Sequence, residues 1–475
     1  MNRIRILYLL LLILLLFPLK QGECVSFNVQ CEDEVYSVLE EMEAVGAIDS
    51  QIYGIKPFTE KEVLRLLTEA WTKRDLLTPY LKARLHRLLR IYKSRAEAET
   101  AYLKPVEDPY LAHFHVHKKP PENIRGRDLK RNNVDVGFES KLYLSSHLLF
   151  HSQLELANQE KRGHYTAETR FLMGYGKIGF GKLALEFGVD SVWWGQSYTG
   201  TLLTSLNPPP YEKLVKLELE NPILLPWVFK YLGLFKFSLF LSKLNSKKRV
   251  VPHPWLMGLK INFKPIPSLE IGINRAVMFG GKGRSVSLST VLFAKGENVE
   301  KPSKTEGDQK AGFDIRFRPF RHLVLYWEGG AEDRSRGILL SDWSHIIGAY
   351  APGLMNRLNL RFEYASITSP WYHHHVYPSG YTYYGNIIGY YADKYCHTYF
   401  GEISYDINRN LRLHTAYWYE ENVRSNNIVN RYEIGLSYHF DYKDLPFLLN
   451  LKYRDSHSKK EEDDRYFFID LQLRF

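Results

Sequence analysis

Three histidines alternate in this chain, His113, His115 and His117, so an extended strand would set their imidazoles on one face, as a metal site requires. No cysteine or acidic residue stands at ligand spacing beside them, and Pro120 and Pro121 follow; no metal or other cofactor is expected. His373, His374 and His375 are consecutive and cannot converge from a strand. The run Gly280-Gly281-Lys282-Gly283 has residue types that cradle phosphate, but lacks the spacing and following helix of a P-loop. Serines, histidines and aspartates are present, yet no spacing unites them into a nucleophilic site, so no enzyme is expected. What remains is a set of flat aromatic faces, Trp193, Trp194, Trp371, Tyr381, Tyr383 and Tyr384, and two guanidinium forks, Arg275 and Arg284. Such groups stack on apolar ring faces and grip carboxylates through paired hydrogen bonds. They also have structural uses: tryptophan and tyrosine line membrane interfaces, and arginine in a barrel wall pairs with a neighbouring acid.

The elements that would carry these residues are strands. From Val134 onward apolar residues recur with period two, as in Leu183, Leu185, Phe187 and Val189, or Phe313, Ile315 and Phe317 against Asp314, Arg316 and Arg318. The pattern continues through Leu358, Leu360, Phe362 and Tyr364, and through Tyr432, Ile434, Leu436, Tyr438 and Phe440. It persists to the end, where Phe467, Ile469, Leu471, Leu473 and Phe475 alternate with polar Asp470, Gln472 and Arg474. Alternation gives each strand one apolar and one polar face. A terminal strand ending on an aromatic residue resembles the C-terminal signal of bacterial outer-membrane barrels. About 340 residues at roughly 20 per strand and connection give about 16 to 18 strands. The expected fold is therefore mainly β: a large antiparallel transmembrane β-barrel of about 18 strands over residues 132–475. Long irregular insertions are expected at 191–211, 294–310, 332–354 and 366–395.

Upstream the period is helical. Val35, Val38, Leu39, Met42 and Val45 mark one helix; Thr59 with Glu62 has capping-box spacing for a second; Thr78-Pro79 opens a third. Residues 31–103 are expected to form a small periplasmic helical head, and 104–131, with Pro105, Pro109, Pro120 and Pro121, a linker. Arg3 and Arg5 before the apolar run Ile6–Phe17 read as a signal peptide over 1–23. Cys24 and Cys31 have the option of pairing, which leaves Cys396 alone; Glu23 before Cys24 does not fit a lipobox. The net charge of +10 points to anionic partners such as acidic polysaccharide or lipid phosphate.

Three runs in order carry a resemblance. They are Phe187-Gly188-Val189-Asp190-Ser191-Val192-Trp193-Trp194-Gly195-Gln196 with the following Thr199–Pro209; Leu269–Arg275 with Phe279–Arg284; and Phe362-Glu363-Tyr364-Ala365 with Val376–Gly389. Together they resemble the capsule assembly protein Wzi family. Gln196 stands where the family has proline, and Ser366-Ile367 where it has an acidic residue and threonine. The resemblance implies an outer-membrane lectin that retains exported capsular polysaccharide, is not a catalyst, and has a barrel plugged by its own loops. Under that reading Trp193, Trp194, Trp371, Tyr381, Tyr383 and Tyr384 would stack on sugar rings, while Arg275 and Arg284 would hold uronate carboxylates. Expected partners are capsular or other surface polysaccharide, outer-membrane lipid and lipopolysaccharide, barrel assembly machinery, and export machinery through the head; nothing points to nucleic acid. The alternative is a porin or transport channel, which shares the strands and terminal aromatic but does not use the head or the ordered motifs.

Overall fold

The computed structural model describes residues 25–96, 100–118, 122–127, 129, 131–161, 164–244, 249–286, 307–332, 343–368 and 371–474. The signal peptide, Cys24 and the terminal Phe475 lie outside the described residues.

Among the described residues three α-helices precede the barrel: α1 (Glu34–Ala44), α2 (Glu60–Thr72) and α3 (Pro79–Ala96). Each begins where a side chain takes up an orphan amide. Asp33 accepts from the Val35 N–H at 2.8 Å, Thr59 from Glu62 at 3.2 Å, and Thr78 from Leu81 at 3.2 Å. The expected capping box is half formed, because the Glu62 carboxylate is taken by Lys236 of the barrel wall. Val35, Leu39, Met42, Leu66, Leu67, Leu85, Leu88 and Tyr92 interlock as the core of this head.

Eighteen antiparallel strands among the described residues close a barrel. They are β1 (Tyr102–Val116), β2 (Arg131–Ser145), β3 (Leu148–Lys161), β4 (His164–Phe180), β5 (Leu183–Asp190) and β6 (Tyr211–Leu219), then β7 (Leu234–Lys243), β8 (Trp255–Ile266), β9 (Leu269–Phe279), β10 (Asp308–Phe320), β11 (Leu323–Glu332) and β12 (Ser344–Leu354). β13 (Leu358–Ile367), β14 (Cys396–Asp406), β15 (Leu411–Asn422), β16 (Asn427–Tyr442), β17 (Leu445–Ser458) and β18 (Asp464–Leu473) complete it. Closure is made by β1 against β18, with Leu111 opposite Leu471 and His113 opposite Ile469. Period-two faces sort as the sequence requires: β16 turns Tyr432, Ile434 and Tyr438 outward and buries Glu433.

Two boundaries differ from expectation. The segment 104–131 is not a linker over its first half: β1 runs to Val116 and closes the barrel, which therefore begins at Tyr102 and not at 132. Its period is hidden because the ladder to β2 shifts register between Lys104 and Glu107 and again before Tyr110, accommodating Pro105 and Pro109. Residues 344–354, read as part of an insertion, are β12, whose glycines and alanines blur the alternation.

At one end of the barrel, next to the head, the connections are turns of two to four residues except for 220–233; the longest connections lie at the other end. The head does not hang from the barrel but closes it. Glu40 of α1 accepts from Arg361 at 2.6 Å and pairs with Arg316 at 3.2 Å. Glu43 meets Arg316 at 2.8 Å and Lys264 at 2.7 Å. Glu60 and Glu62 of α2 reach Lys141 and Lys236. All of these groups are buried. Between α1 and α2 the chain rises inside the lumen, where Tyr53 and Gly54 donate to the Glu270 carboxylate at 2.8 and 2.9 Å.

Burial alone would raise the Glu43 carboxyl, but Arg316 and Lys264 more than offset it and hold it down at about 2, against an ordinary 4.5. A depressed folded-state pKa means a stabilisation that is complete above pH 4.5 and is lost as pH falls toward 2. Protection factors of the α1 amides, exchange relative to its intrinsic rate at each pH, should therefore be unchanged between pH 7 and pH 5. At pH 7, Glu43→Gln should leave two buried cations underpaired and weaken head docking by about 3–5 kcal/mol. Equal α1 protection in wild type and variant would refute this account of docking.

Candidate functional site at the sealed mouth of the barrel

The long-loop end is closed by two insertions, residues 191–210 and 368–395. The first descends into the lumen and meets the head: Trp193 and Trp194 pair antiparallel with Lys56 and Ile55, and the Gly195 N–H donates to the Gly54 carbonyl at 3.1 Å. Gly195 holds φ +155, and a Cβ there would lie 2.3 Å from the Glu328 carboxylate, so only glycine lets the wall approach this closely.

Carboxylates of the wall hold the descending loop. Glu328 on β11 accepts from the N–H groups of Gln196 at 2.7 Å, Ser197 at 2.8 Å and Leu202 at 3.2 Å. Glu363 on β13 accepts from Tyr198 at 2.5 Å, Thr199 at 2.9 Å and the Tyr326 hydroxyl at 2.6 Å. Gln196 donates its side-chain amide to Asp314 at 2.7 Å and Glu270 at 3.0 Å. A proline at 196 would have neither the donor amide nor the backbone N–H that Glu328 uses.

The second insertion packs on the first. Tyr372 donates to the Leu202 carbonyl at 2.9 Å and accepts from the Tyr390 N–H at 2.6 Å; Ser205 N–H donates to Ile388 at 2.9 Å. Trp194, Leu202, Tyr211, Trp371, Tyr372, Tyr377, Tyr381, Tyr383 and Tyr390 form one apolar cluster with the inner wall. Tyr372 stacks on Tyr381 at 9° between planes, and Tyr211 on Tyr383 at 23°.

This geometry redistributes the residues singled out from sequence. Trp193, Trp194, Trp371, Tyr381 and Tyr383 are buried, and Trp193 borders the space between the head and the loops. Trp194, Trp371, Tyr381 and Tyr383 belong to the apolar core of the loop seal, because two polar-backbone loops can close an 18-stranded mouth only by burying large side chains between them. Arg275 lies on the outward side of β9 near the mouth and donates to Gln309 of β10 at 2.6 Å, so it braces the wall. Tyr384 reaches the surface, and Arg284 is half-buried at the mouth. Tyr384 is 48% exposed, with its hydroxyl donating to Glu212 at 2.8 Å. The Arg284 guanidinium lies 5.5 Å from the centre of the Tyr377 ring.

Other residues of the sequence analysis fall elsewhere. Gly280–Gly283 forms a turn in which the Lys282 N–H donates to Pro252 at 2.9 Å. His113 faces Phe467 across the β1–β18 seam, and His115 contacts Asn132 at 2.8 Å. His373 pairs with Asp393 at 2.8 Å. Residues missed from sequence include Glu212, which orients Tyr384, and Arg249, which donates to the Gly380 carbonyl at 3.0 Å and the Thr382 hydroxyl at 3.1 Å. The signals for this region were the run Val376–Gly389 and the density of tyrosine between 372 and 391, neither of which marks Glu212 or Arg249.

Between head and seal lies a cavity of about 590 Å³, bordered by Tyr53, Lys56, Tyr198, Arg361, Glu402 and Arg454 among others. Lys56 is buried with its ammonium 3.7 Å from the centre of the Tyr53 ring. Burial pushes that ammonium down to about 8, with nearby Arg316 and Arg361 acting in the same sense and Glu40 opposing.

Taken together, the wall, the head and the two insertions define a transmembrane β-barrel whose lumen is occupied from both ends. Residues 117–465 match the model of the capsule assembly protein Wzi family, and the chain belongs to that family. The Escherichia coli outer-membrane protein Wzi, described as a carbohydrate-binding β-barrel involved in group 1 capsule assembly, superposes with a TM-score of 0.72 at 20% identity, covering 95% of this chain and 100% of that one. An uncharacterized 55.8 kDa protein in the cps region of Klebsiella pneumoniae is 30% identical over 146 residues, which is 30% of this chain and 29% of that relative's length.

If the wall carboxylates hold the seal, their removal should open it. Purified wild-type protein in a planar bilayer should show no steady conductance, whereas Glu328→Ala combined with Glu363→Ala should give long-lived open events. A closed double variant with an intact barrel would show that the aromatic cluster alone suffices.

Proposed function

We propose that this protein sits in the outer membrane with its helical head in the periplasm, binds capsular or a related surface polysaccharide, and retains it at the cell surface without catalysis. The observation that carries the reading is a lumen filled from both ends beneath a rim of exposed aromatic and charged groups: such a barrel is built to present a surface and not to pass a solute. Family membership and the carbohydrate binding of the Escherichia coli relative support the same ligand class. Short turns beside the head support the orientation, since outer-membrane barrels keep short turns in the periplasm and long loops outside.

The contacts we assign are Tyr384, whose exposed ring offers a flat face to a sugar, and Arg284, whose fork suits a carboxylate or hydroxyl pair. Exposed Lys282 lies on the same rim. Trp193, Trp194, Trp371, Tyr381 and Tyr383 act one layer below by fixing the loops that carry these groups. Each contact is weak, and retention comes from number: a polymer repeats its unit, many barrels share one surface, and a second contact forms at high effective concentration. Positive charge at the rim assists an acidic polymer, and salt should then weaken binding.

The test is binding of the detergent-solubilised protein to the surface polysaccharide of its own host, with an unrelated polysaccharide as control. Selective binding is expected, with Tyr384→Ala and Arg284→Ala each weakening it by roughly tenfold or less, about 0.5–1.5 kcal/mol. Folded protein that binds neither polymer would overturn the proposal.

A further inference from the structure

The connection from β6 to β7 breaks the pattern of its end of the barrel. Its neighbours there span two to four residues, whereas this one runs from 220 to 233. Ile223 and Leu224 pair with Phe235 and Leu234 at the foot of β7, and Trp227–Leu232 then forms a short 3-10 turn. Gly233, at φ +74, ends it, pressed so closely on the Lys264 carbonyl that no side chain would fit. The turn is thereby fixed against the foot of β8. Its side chains face away from the protein: Trp227 is 72% exposed, Val228 70% and Tyr231 77%, and Phe229 and Leu232 are also exposed.

We propose that residues 226–232 are an interfacial anchor that inserts into the leaflet at the short-turn end, its occupant being phospholipid. Three observations select lipid over protein. The patch is continuous with the apolar outer face, through Leu224 and through Phe235, which meets Phe263 of β8 at 5.5 Å between ring centres. Its composition is that of a membrane interface, with tryptophan and tyrosine at the edge and one lysine whose ammonium lies 5.3 Å from the Tyr231 ring, placed to reach headgroup phosphate. No aspartate or glutamate occurs from 221 to 243, so nothing in the segment repels an anionic lipid surface. A contiguous apolar patch of this kind facing water would be an aggregation liability. The inference rests on the barrel spanning a membrane and is independent of any polysaccharide.

The test uses the full-length protein in phosphatidylethanolamine–phosphatidylglycerol vesicles. The fluorescence of Trp227 is isolated as the difference between wild type and Trp227→Phe. Lipids brominated near the headgroup end of the acyl chain should quench that component at least twofold, and aqueous iodide should leave it nearly unchanged. Tyr231→Trp in the Trp227→Phe background places a second reporter four residues on and should behave alike. Iodide quenching without bromolipid quenching would overturn the proposal. So would protection from iodide that appears only at a high protein-to-lipid ratio, which would assign the patch to a second copy of the chain.

Discussion

A charge facing the inside of a membrane barrel must be hydrated or paired, because an isolated ion in a low-dielectric interior costs several kcal/mol. The inner wall of this barrel carries Lys141, Lys236, Lys264, Arg316 and Arg361 on one side of that account and Glu270, Asp314, Glu328 and Glu363 on the other. The cations are met by carboxylates of the head, Glu40, Glu43, Glu60 and Glu62. The carboxylates are met largely by backbone amides, from Tyr53 and Gly54 of the head and from Gln196–Leu202 of the descending loop. Wall, head and loop are thus one electrostatic unit. Taking away either filler would remove the partners of these charges and leave water to replace them, so the fillers and the wall are matched in charge.

Aromatic side chains serve two separate ends in the same strands. On the outside, β14 places Tyr399 and Tyr405 on either side of Ile403, and β16 places Tyr432 and Tyr438 on either side of Ile434 and Leu436. These pairs bracket an aliphatic band, as expected where a ring with a polar tip sits at each membrane interface. At the mouth, tyrosines and tryptophans instead bury against one another, with hydroxyls such as those of Tyr372 and Tyr377 bonded to carbonyls of neighbouring loops. Residue type alone does not distinguish a girdle, a loop core and a binding platform; position relative to the rim does.

That distinction explains what was legible in the chain. The strands, their approximate number and the helical head follow from periodicity, since a period of two or of 3.6 is a local property. β1 escaped because Pro105 and Pro109 sit at register shifts that interrupt alternation, and β12 because its small residues carry little contrast. Which of the aromatic residues are exposed was not legible for a different reason. Trp371 and Tyr384 look equivalent in sequence, yet one is 1% exposed and the other 48%, and the difference is set by which loop lies over them. The roles of Glu328 and Glu363 were hidden for the same cause: each is one more acid on an alternating strand, and the loop amides it holds lie more than 120 residues away.

A tether that works by many weak contacts gains most when each contact is made by groups already in place, since every side chain ordered on binding subtracts from a small favourable term. Under the proposed role, the sealed mouth meets that need. Tyr384 stands on a hairpin, Thr382–Tyr383 against Asn386–Ile387, whose neighbour Tyr383 is stacked on Tyr211 of the wall and whose carbonyls are held by Arg249. That hairpin rests on the first insertion, the insertion on Glu328 and Glu363, and its tip on the head segment at Ile55. Rigidity at the rim is therefore inherited through the lumen from the far end of the barrel. An open channel would have to give up this chain of support, which is the physical reason a single barrel of this wall chemistry cannot serve equally well as a pore and as a fixed platform.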